Sequence, residues 1–178
     1  ADGMSELCGL HATTGVGESG EYLPPEVDRQ VGLGMLGLAN LLAIEGVAYK
    51  DFVQALQYTN LGVYNGVTKP GAISEALLEG FKRAAAVAEE HGMSRAFTVA
   101  PTASCAYRYQ DREGYTTTPE IAPPVSRNID RASSTLGVQS YEFNPKCETA
   151  EEVGWDTFFT LNCEWQRMMD STGMAHAI

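Results

Sequence analysis

Positive charge is scarce in this sequence. Twelve lysines and arginines stand against 23 aspartates and glutamates, giving a net charge of −11 over 178 residues. Without a basic stripe to neutralise a phosphate backbone, general nucleic-acid binding is excluded, while a small nucleotide held by a few donors is not. No apolar run approaches the roughly 18 residues of a membrane span, and no signal peptide opens the chain. A cytoplasmic protein without membrane contact is therefore expected. Cysteine is sparse and scattered: Cys8, Cys105, Cys147 and Cys163, with no C-x-x-C and only three histidines. That pattern argues against a structural zinc site, and no metal is expected. In a reducing compartment the four thiols read first as buried or idle. Low-complexity runs are also missing. With 44% hydrophobic and 20% charged residues, the chain has the composition of one globular domain with a real core.

What is present begins with glycine. Gly32-x-Gly34-x-x-Gly37 has the letters of a dinucleotide fingerprint, which requires a strand before it and a helix after it. The preceding "EYLPPEVDRQ" does not read as a buried strand, and no strand ending in an acid follows at the usual distance. The expectation is instead a helix from Pro25 to Ile44, proline in its first turn and Gly46 as its stop, with the glycines kept for close packing. A dinucleotide enzyme built on Gly32 to Gly37 would bind a nicotinamide or flavin.

Residues 1–24 read as a loop-rich segment and 25–178 as the folded domain. A second helix is expected from Tyr49 to Leu61. A third starts with Ser74 as N-cap and ends at Gly92, its apolar residues Leu77, Leu78, Phe81, Ala84, Ala85 and Ala88 recurring at helical spacing. "AFTVA", Ala96 to Ala100, reads as a buried strand. A long loop from Pro101 to about Arg131 follows, of a length that is usually functional or carries short helices. "GVQSYEF" is a second strand. Thr149-x-x-Glu152 is a capping box opening a helix to about Ser171, whose Trp155, Phe158, Phe159, Trp165 and Met169 are expected to face the core. "MAHAI" looks like a strand beginning. The whole is an α/β pattern with strands at its centre.

"TVAPTASCAYRY", Thr98 to Tyr109, carries the most chemistry. Small residues after a strand leave backbone N–H groups free to face an anion, Thr102 and Ser104 add hydroxyls, and a helix start adds a favourable dipole. An ordinary tight turn uses the same residues.

Three stretches together resemble one family. "RQVGLGMLGLANLL" is similar to the Arg-x-(Ile/Leu)-Gly-x-Gly-x-x-Gly-(Leu/Phe)-Ala-x-Leu-Leu segment of ribonucleotide reductase catalytic subunits. "APTASCAY" resembles that family's Pro-Thr-x-Ser phosphate loop, and "YTTTPEIAPP" its Thr/Ser-Pro-Gly-Ile-Glu-Pro stretch. "WQRMMDSTGMAHAI" resembles the helix and strand start before the last barrel strands. The motifs occur in the family's order and span Arg29 to Ile178. The resemblance implies part of a ten-stranded α/β barrel, and reduction of ribonucleotides to deoxyribonucleotides by thiyl-radical chemistry. It implies that Thr102, Ala103, Ser104 and Cys105 form the substrate-phosphate loop, with Cys105 a small polar filler. "ELCGLHA" resembles the surroundings of one redox cysteine, which makes Cys8 a candidate member of the reducing pair.

Departures accompany the resemblance. The finger loop's Asn-x-Cys-x-Glu is nowhere; "LNCEW" is one residue too short and lies in a helix, so Cys163 reads as core or surface. The family places a long helix between the position of Cys8 and the glycine motif, and here the gap is short. The chain therefore reads as one segment of a catalytic subunit, inactive by itself and working in an oligomer with the remaining catalytic segments. It binds no cofactor directly. A metal-containing small subunit would supply the radical, with adenosylcobalamin as the alternative source; the glycyl-radical signature is absent. A competing expectation is a non-catalytic, helix-rich binding module whose glycine-bearing helix packs on a partner.

Overall fold

The computed structural model describes residues 29–133 and 137–177. The fully buried Ala96 and Phe97 place strand β2 (Arg95–Thr98) at the centre of a three-stranded parallel sheet. Its neighbours are β1 (Gln30–Leu33) and β5 (Ala175–Ala177). Parallel neighbours need long crossovers. The first carries α1 (Leu38–Glu45), α2 (Tyr49–Asn60) and α3 (Lys69–Glu90). The second carries α4 (Ala103–Ala106), the antiparallel hairpin β3 (Asn128–Ser133) and β4 (Gly137–Glu142), then α5 (Ala150–Val153) and α6 (Trp155–Asp170). The result is mixed α/β, as the sequence pattern implies.

The glycine stretch is not one helix. Val31 and Leu33 alternate with Gly32 in β1, a loop runs over 34–37, and α1 starts after Gly37, whose φ of 78° is left-handed. Three glycines inside a helix would each cost about 1 kcal/mol against alanine, and pairing with β2 satisfies the same backbone in an extended form. The packing role survives in altered form. A Cβ at Gly32 would stand 2.7 Å from Thr98 Cγ2, at Gly34 2.6 Å from Glu120 Oε2, and at Gly37 2.9 Å from Thr117 Cγ2. Close approach by neighbouring side chains, rather than by another helix, is what these positions require.

Two helix boundaries also differ from expectation. Thr68, not Ser74, caps α3: its Oγ1 accepts from Gly71 N at 3.2 Å, with Pro70 in the first turn. Ser74 lies inside the helix, completely buried, donating to Gly71 O at 2.9 Å and sharing a 2.7 Å bond with Thr59 Oγ1. The Thr149–Glu152 capping box forms as read, but Gly154 at φ 75° breaks the segment into α5 and α6. Within α6 the buried face is that of Leu161, Trp165 and Met168, and Trp155 and Phe159 lie to one side of it, 75% and 57% exposed and stacked at 6.3 Å, so neither is core. Leu161, Trp165, Met168 and Met169 are buried as α6 packs against α2 and α3. Phe81 on α3 links this core to the sheet, 5.0 Å from Phe97 and 5.7 Å from Trp165 in edge-on contacts. Cys163 is half-buried within α6.

The expected loop over 101–131 contains α4 and, at its end, β3. The strand expected at 137–143 forms as β4, although Val138, Gln139 and Ser140 are exposed; its partner β3 is the strand that the sequence did not announce.

Candidate functional site

β1 and β2 run parallel with Leu33 beside Phe97, so their chains leave the sheet at the same end. From there emerge Gly34–Gly37 on one side and Val99–Cys105 on the other. A third segment, Thr116–Ile121, closes over both. Buried Asn40 of α1 holds its start: it donates to Thr116 O at 3.0 Å and to Asp111 Oδ2 at 2.8 Å, and accepts from Thr118 N at 2.8 Å. Backbone bonds add Gly37 N to Thr118 O at 2.9 Å and Leu38 N to Glu120 O at 3.2 Å. Tyr49 Oη donates to Ile121 O at 3.1 Å. Burial, with Cys147 and Glu148 nearby, raises that phenol's pKa, so it stays a neutral donor.

These bonds decide between readings of the glycine motif. A strand does precede it and a helix does follow it, contrary to expectation. Yet the Gly37 and Leu38 N–H groups at the start of α1, which a pyrophosphate would need, already donate to Thr118 and Glu120 carbonyls. The dinucleotide seat is closed.

The sequence-derived loop Thr102, Ala103, Ser104 and Cys105 lies at this same end. Thr102 O accepts from Cys105 N at 3.0 Å and Ala106 N at 2.8 Å, shaping one helical turn. No hydrogen bond among the described residues uses the N–H of Ala103 or Ser104. Ser104 and Cys105 are exposed, while Ala106 is fully buried and anchors the turn. Tyr107 then packs against the hairpin, 4.7 Å from Tyr141 and 5.7 Å from Phe143. Cys8, the other sequence-derived candidate, lies outside the described residues.

Glu120, within Tyr115–Pro124, is a residue to which the sequence alone gives no role. Glu120 is 5% exposed and sits at φ 42°, in a turn closed by Ala122 N donating to Pro119 O at 3.0 Å. Its carboxylate lies against Gly34 and faces the N–H groups of Met35 and Ala100 and the Thr102 hydroxyl. Burial pushes this carboxyl above the usual carboxylate range, outweighing the opposing pull of those three donors. None of them reaches Oε2 with hydrogen-bond geometry: Glu120 Oε2 and Thr102 Oγ1 are both buried and unpartnered, as is Thr118 Oγ1 nearby in sequence. Each such orphan costs about 1–3 kcal/mol unless something else meets it. The only sequence signal was a lone acid set among threonines, prolines and an isoleucine.

By contrast Asp111 is fully engaged. Burial acts upward on its pKa, but bonds from Asn40, Tyr115 N and Glu113 N outweigh it and hold the carboxyl below its ordinary value. Cys147 is inert: burial raises its thiol pKa to about 11, and it donates weakly to Ala39 O at 3.5 Å. Among the described residues no three histidine, cysteine or acidic side chains cluster as a metal site, and no helix is long and apolar enough to cross a membrane.

A cleft of about 710 Å³ between α2 and α6, lined by Gln54, Gln57, Asn60, Glu164 and Arg167, shares no lining residue with the strand-end loops. Its Glu164 is met by Asn60 Nδ2 at 2.9 Å and Arg167 Nη1 at 2.5 Å, and Asn60 Oδ1 is its one buried unpartnered atom among the described residues. The strand ends, where three such oxygens lie on or beside the loops, are the stronger candidate. An apolar cavity of about 200 Å³ adjoins them, lined by Leu33, Gly34, Met35, Leu77, Gly80 and Phe81. No family model matches the chain, and no curated protein matches it at a significant level.

Proposed function

We propose that the chain is a segment of a ribonucleotide reductase catalytic subunit, contributing the loop that holds the substrate's phosphates. What carries this reading is convergence. Of the three stretches that resemble the family, Gly32–Gly37 lies far in sequence from Thr102–Cys105 and Tyr115–Pro124, yet all three meet at the carboxyl end of the same parallel strands. That end is where α/β sheets bind ligands.

In this reading the Ala103 and Ser104 N–H groups and the Thr102 and Ser104 hydroxyls face phosphate oxygens. Cys105 is a small filler at the rim. The three-stranded sheet is part of a ten-stranded barrel whose other strands come from further catalytic segments. The radical comes from a metal-containing partner subunit, or from adenosylcobalamin, and no described residue is assigned to hold either. Titrating cytidine diphosphate into the 178-residue chain tests the proposal. Ser104→Phe abolishes binding while circular dichroism stays native; unchanged binding in the variant would overturn the reading.

A second reading, a non-catalytic binding module, is favoured by the exposed Trp155–Phe159 pair and by exposed Leu61, Tyr64 and Val67 after α2. It predicts that Ser104→Phe changes nothing and that Trp155→Ala removes association with a partner.

A further inference from the structure

We propose that Glu120 is a built-in competitor for the anion seat at the ends of β1 and β2, and that an incoming phosphate binds only by displacing its carboxylate. The inference rests on the phosphate-loop reading above and adds how that loop is controlled.

Three independent observations support it. The first is position. The carboxylate lies where a small anion would: against Gly34, whose missing Cβ leaves the space, and before the N–H groups of Met35 and Ala100 and the hydroxyl of Thr102. A Cβ at Gly34 would come within 2.6 Å and 2.8 Å of the two carboxylate oxygens, so the contact is as close as glycine permits.

The second is imperfect fit. Structural carboxylates in interiors collect hydrogen bonds on both oxygens, as Asp111 does here. Glu120 Oε2 has none, although the residue is 95% buried by its 5% exposure, and Thr102 Oγ1 is left unmet beside it. One carboxylate oxygen therefore gains no hydrogen bond from occupying the seat. A tetrahedral phosphate offers more oxygens than a planar carboxylate and can reach donors that the carboxylate misses.

The third is backbone strain. Glu120 sits at φ 42°, in the left-handed region that costs a residue with a Cβ about 1–2 kcal/mol. Glycine or asparagine would hold the same turn more easily. A strained residue holding an unsatisfied charge does not stabilise this turn, which leaves the carboxylate's place in the seat as its role.

Two charges of the same sign cannot share the seat, so occupancy by Glu120 lowers affinity for any phosphate. The effect falls on the phosphate and is indifferent to the base or sugar attached to it.

The test is calorimetric titration of the 178-residue chain with cytidine diphosphate and, separately, with inorganic pyrophosphate. The variants are Glu120→Gln, Glu120→Gly, Ser104→Phe and the Glu120→Gln/Ser104→Phe double. Expected is a gain of about tenfold or more for both probes in Glu120→Gln, as expected when a like charge a few ångströms away is removed. Glu120→Gly, which also relieves the strain, gains at least as much, and it serves if Glu120→Gln fails to fold. The double variant loses the gain. Unchanged or weaker binding in both Glu120 variants overturns the competitor role. If Ser104→Phe still abolishes wild-type binding in that case, the phosphate loop stands and only the competitor falls. A gain that survives in the double variant, or no binding by any variant, overturns both.

Discussion

The α2–α3–α6 packing and the strand-end crevice lie within one chain and are built by opposite rules. In the helical region most buried side chains find a partner, Asn60 Oδ1 being the one buried polar atom left unmet among the described residues there. Phe81 bridges Phe97 and Trp165, Ser74 and Thr59 share a buried bond, and Glu164 is met by both Asn60 and Arg167. In the crevice, Glu120 Oε2, Thr102 Oγ1 and Thr118 Oγ1 are buried and unmet, and Glu120 is strained as well. The better satisfied region holds the fold. The crevice, with three buried unmet oxygens against one, is where a ligand has more to contribute, and departures from local consistency gather at functional sites.

Substitutions should separate the two regions by size and by sign. Trp165→Ala removes the largest buried side chain of the helical region and should cost about 3–5 kcal/mol in urea unfolding; a cost under 1 kcal/mol would mean the packing there is loose. Asn40→Ala should rank second. It strands Thr118 N, Thr116 O and Asp111 together, at about 2–3 kcal/mol, and amide exchange should accelerate over 116–121 before it does in α3. Uniform acceleration would show that Asn40 supports the whole fold rather than the roof of the crevice.

Glu120→Gly should move stability the other way, raising it by about 1 kcal/mol through relief of the left-handed strain and of the buried orphan oxygen. Its pH dependence sharpens the contrast. Burial raises the folded pKa, so the native state holds this proton more tightly than the unfolded chain does. Ionisation then costs stability as pH rises from the ordinary glutamate range, about 4.3, through the raised folded value. Wild type should lose ground to Glu120→Gln over that rise and match it more closely below, whereas a constant gap would refute the assignment. Asp111 has the opposite sign: its depressed folded pKa gives stability above the ordinary aspartate range that is lost as pH falls through the folded value. The smallest effect belongs to Cys105→Ser, at the exposed rim, expected within about 0.5 kcal/mol. A maleimide should label Cys105 promptly and leave Cys147 untouched.

Much of the satisfied region was legible in the sequence. The periodicity of α2 and α3, the buried β2 and the Thr149–Glu152 capping box are local signals, and the local signals agree with the fold. β1 was not legible, because at four residues with Gly32 among them its alternation is too short to read, and only pairing with β2 stabilises it. Trp155 and Phe159 share the helical spacing of the buried Trp165 and Met169 only loosely, and the sequence does not tell the edge of that broad face from its centre. The candidate site was legible only in part. Thr102–Cys105 announce themselves by small size and hydroxyls after a strand. Glu120 does not, since its burial, strain and unmet oxygen arise from contact with Gly34 and Thr102, both distant in sequence.

The most direct measurement is an amide-resolved NMR titration of the 178-residue chain with cytidine diphosphate. The account predicts the largest, saturable shifts at Met35, Ala100, Ala103 and Ser104, with Glu120 and Gly34 moving as the carboxylate is displaced. Shifts concentrated instead on Gln54, Gln57 and Asn60 in the α2–α6 cleft, or no shifts at millimolar ligand, would contradict it.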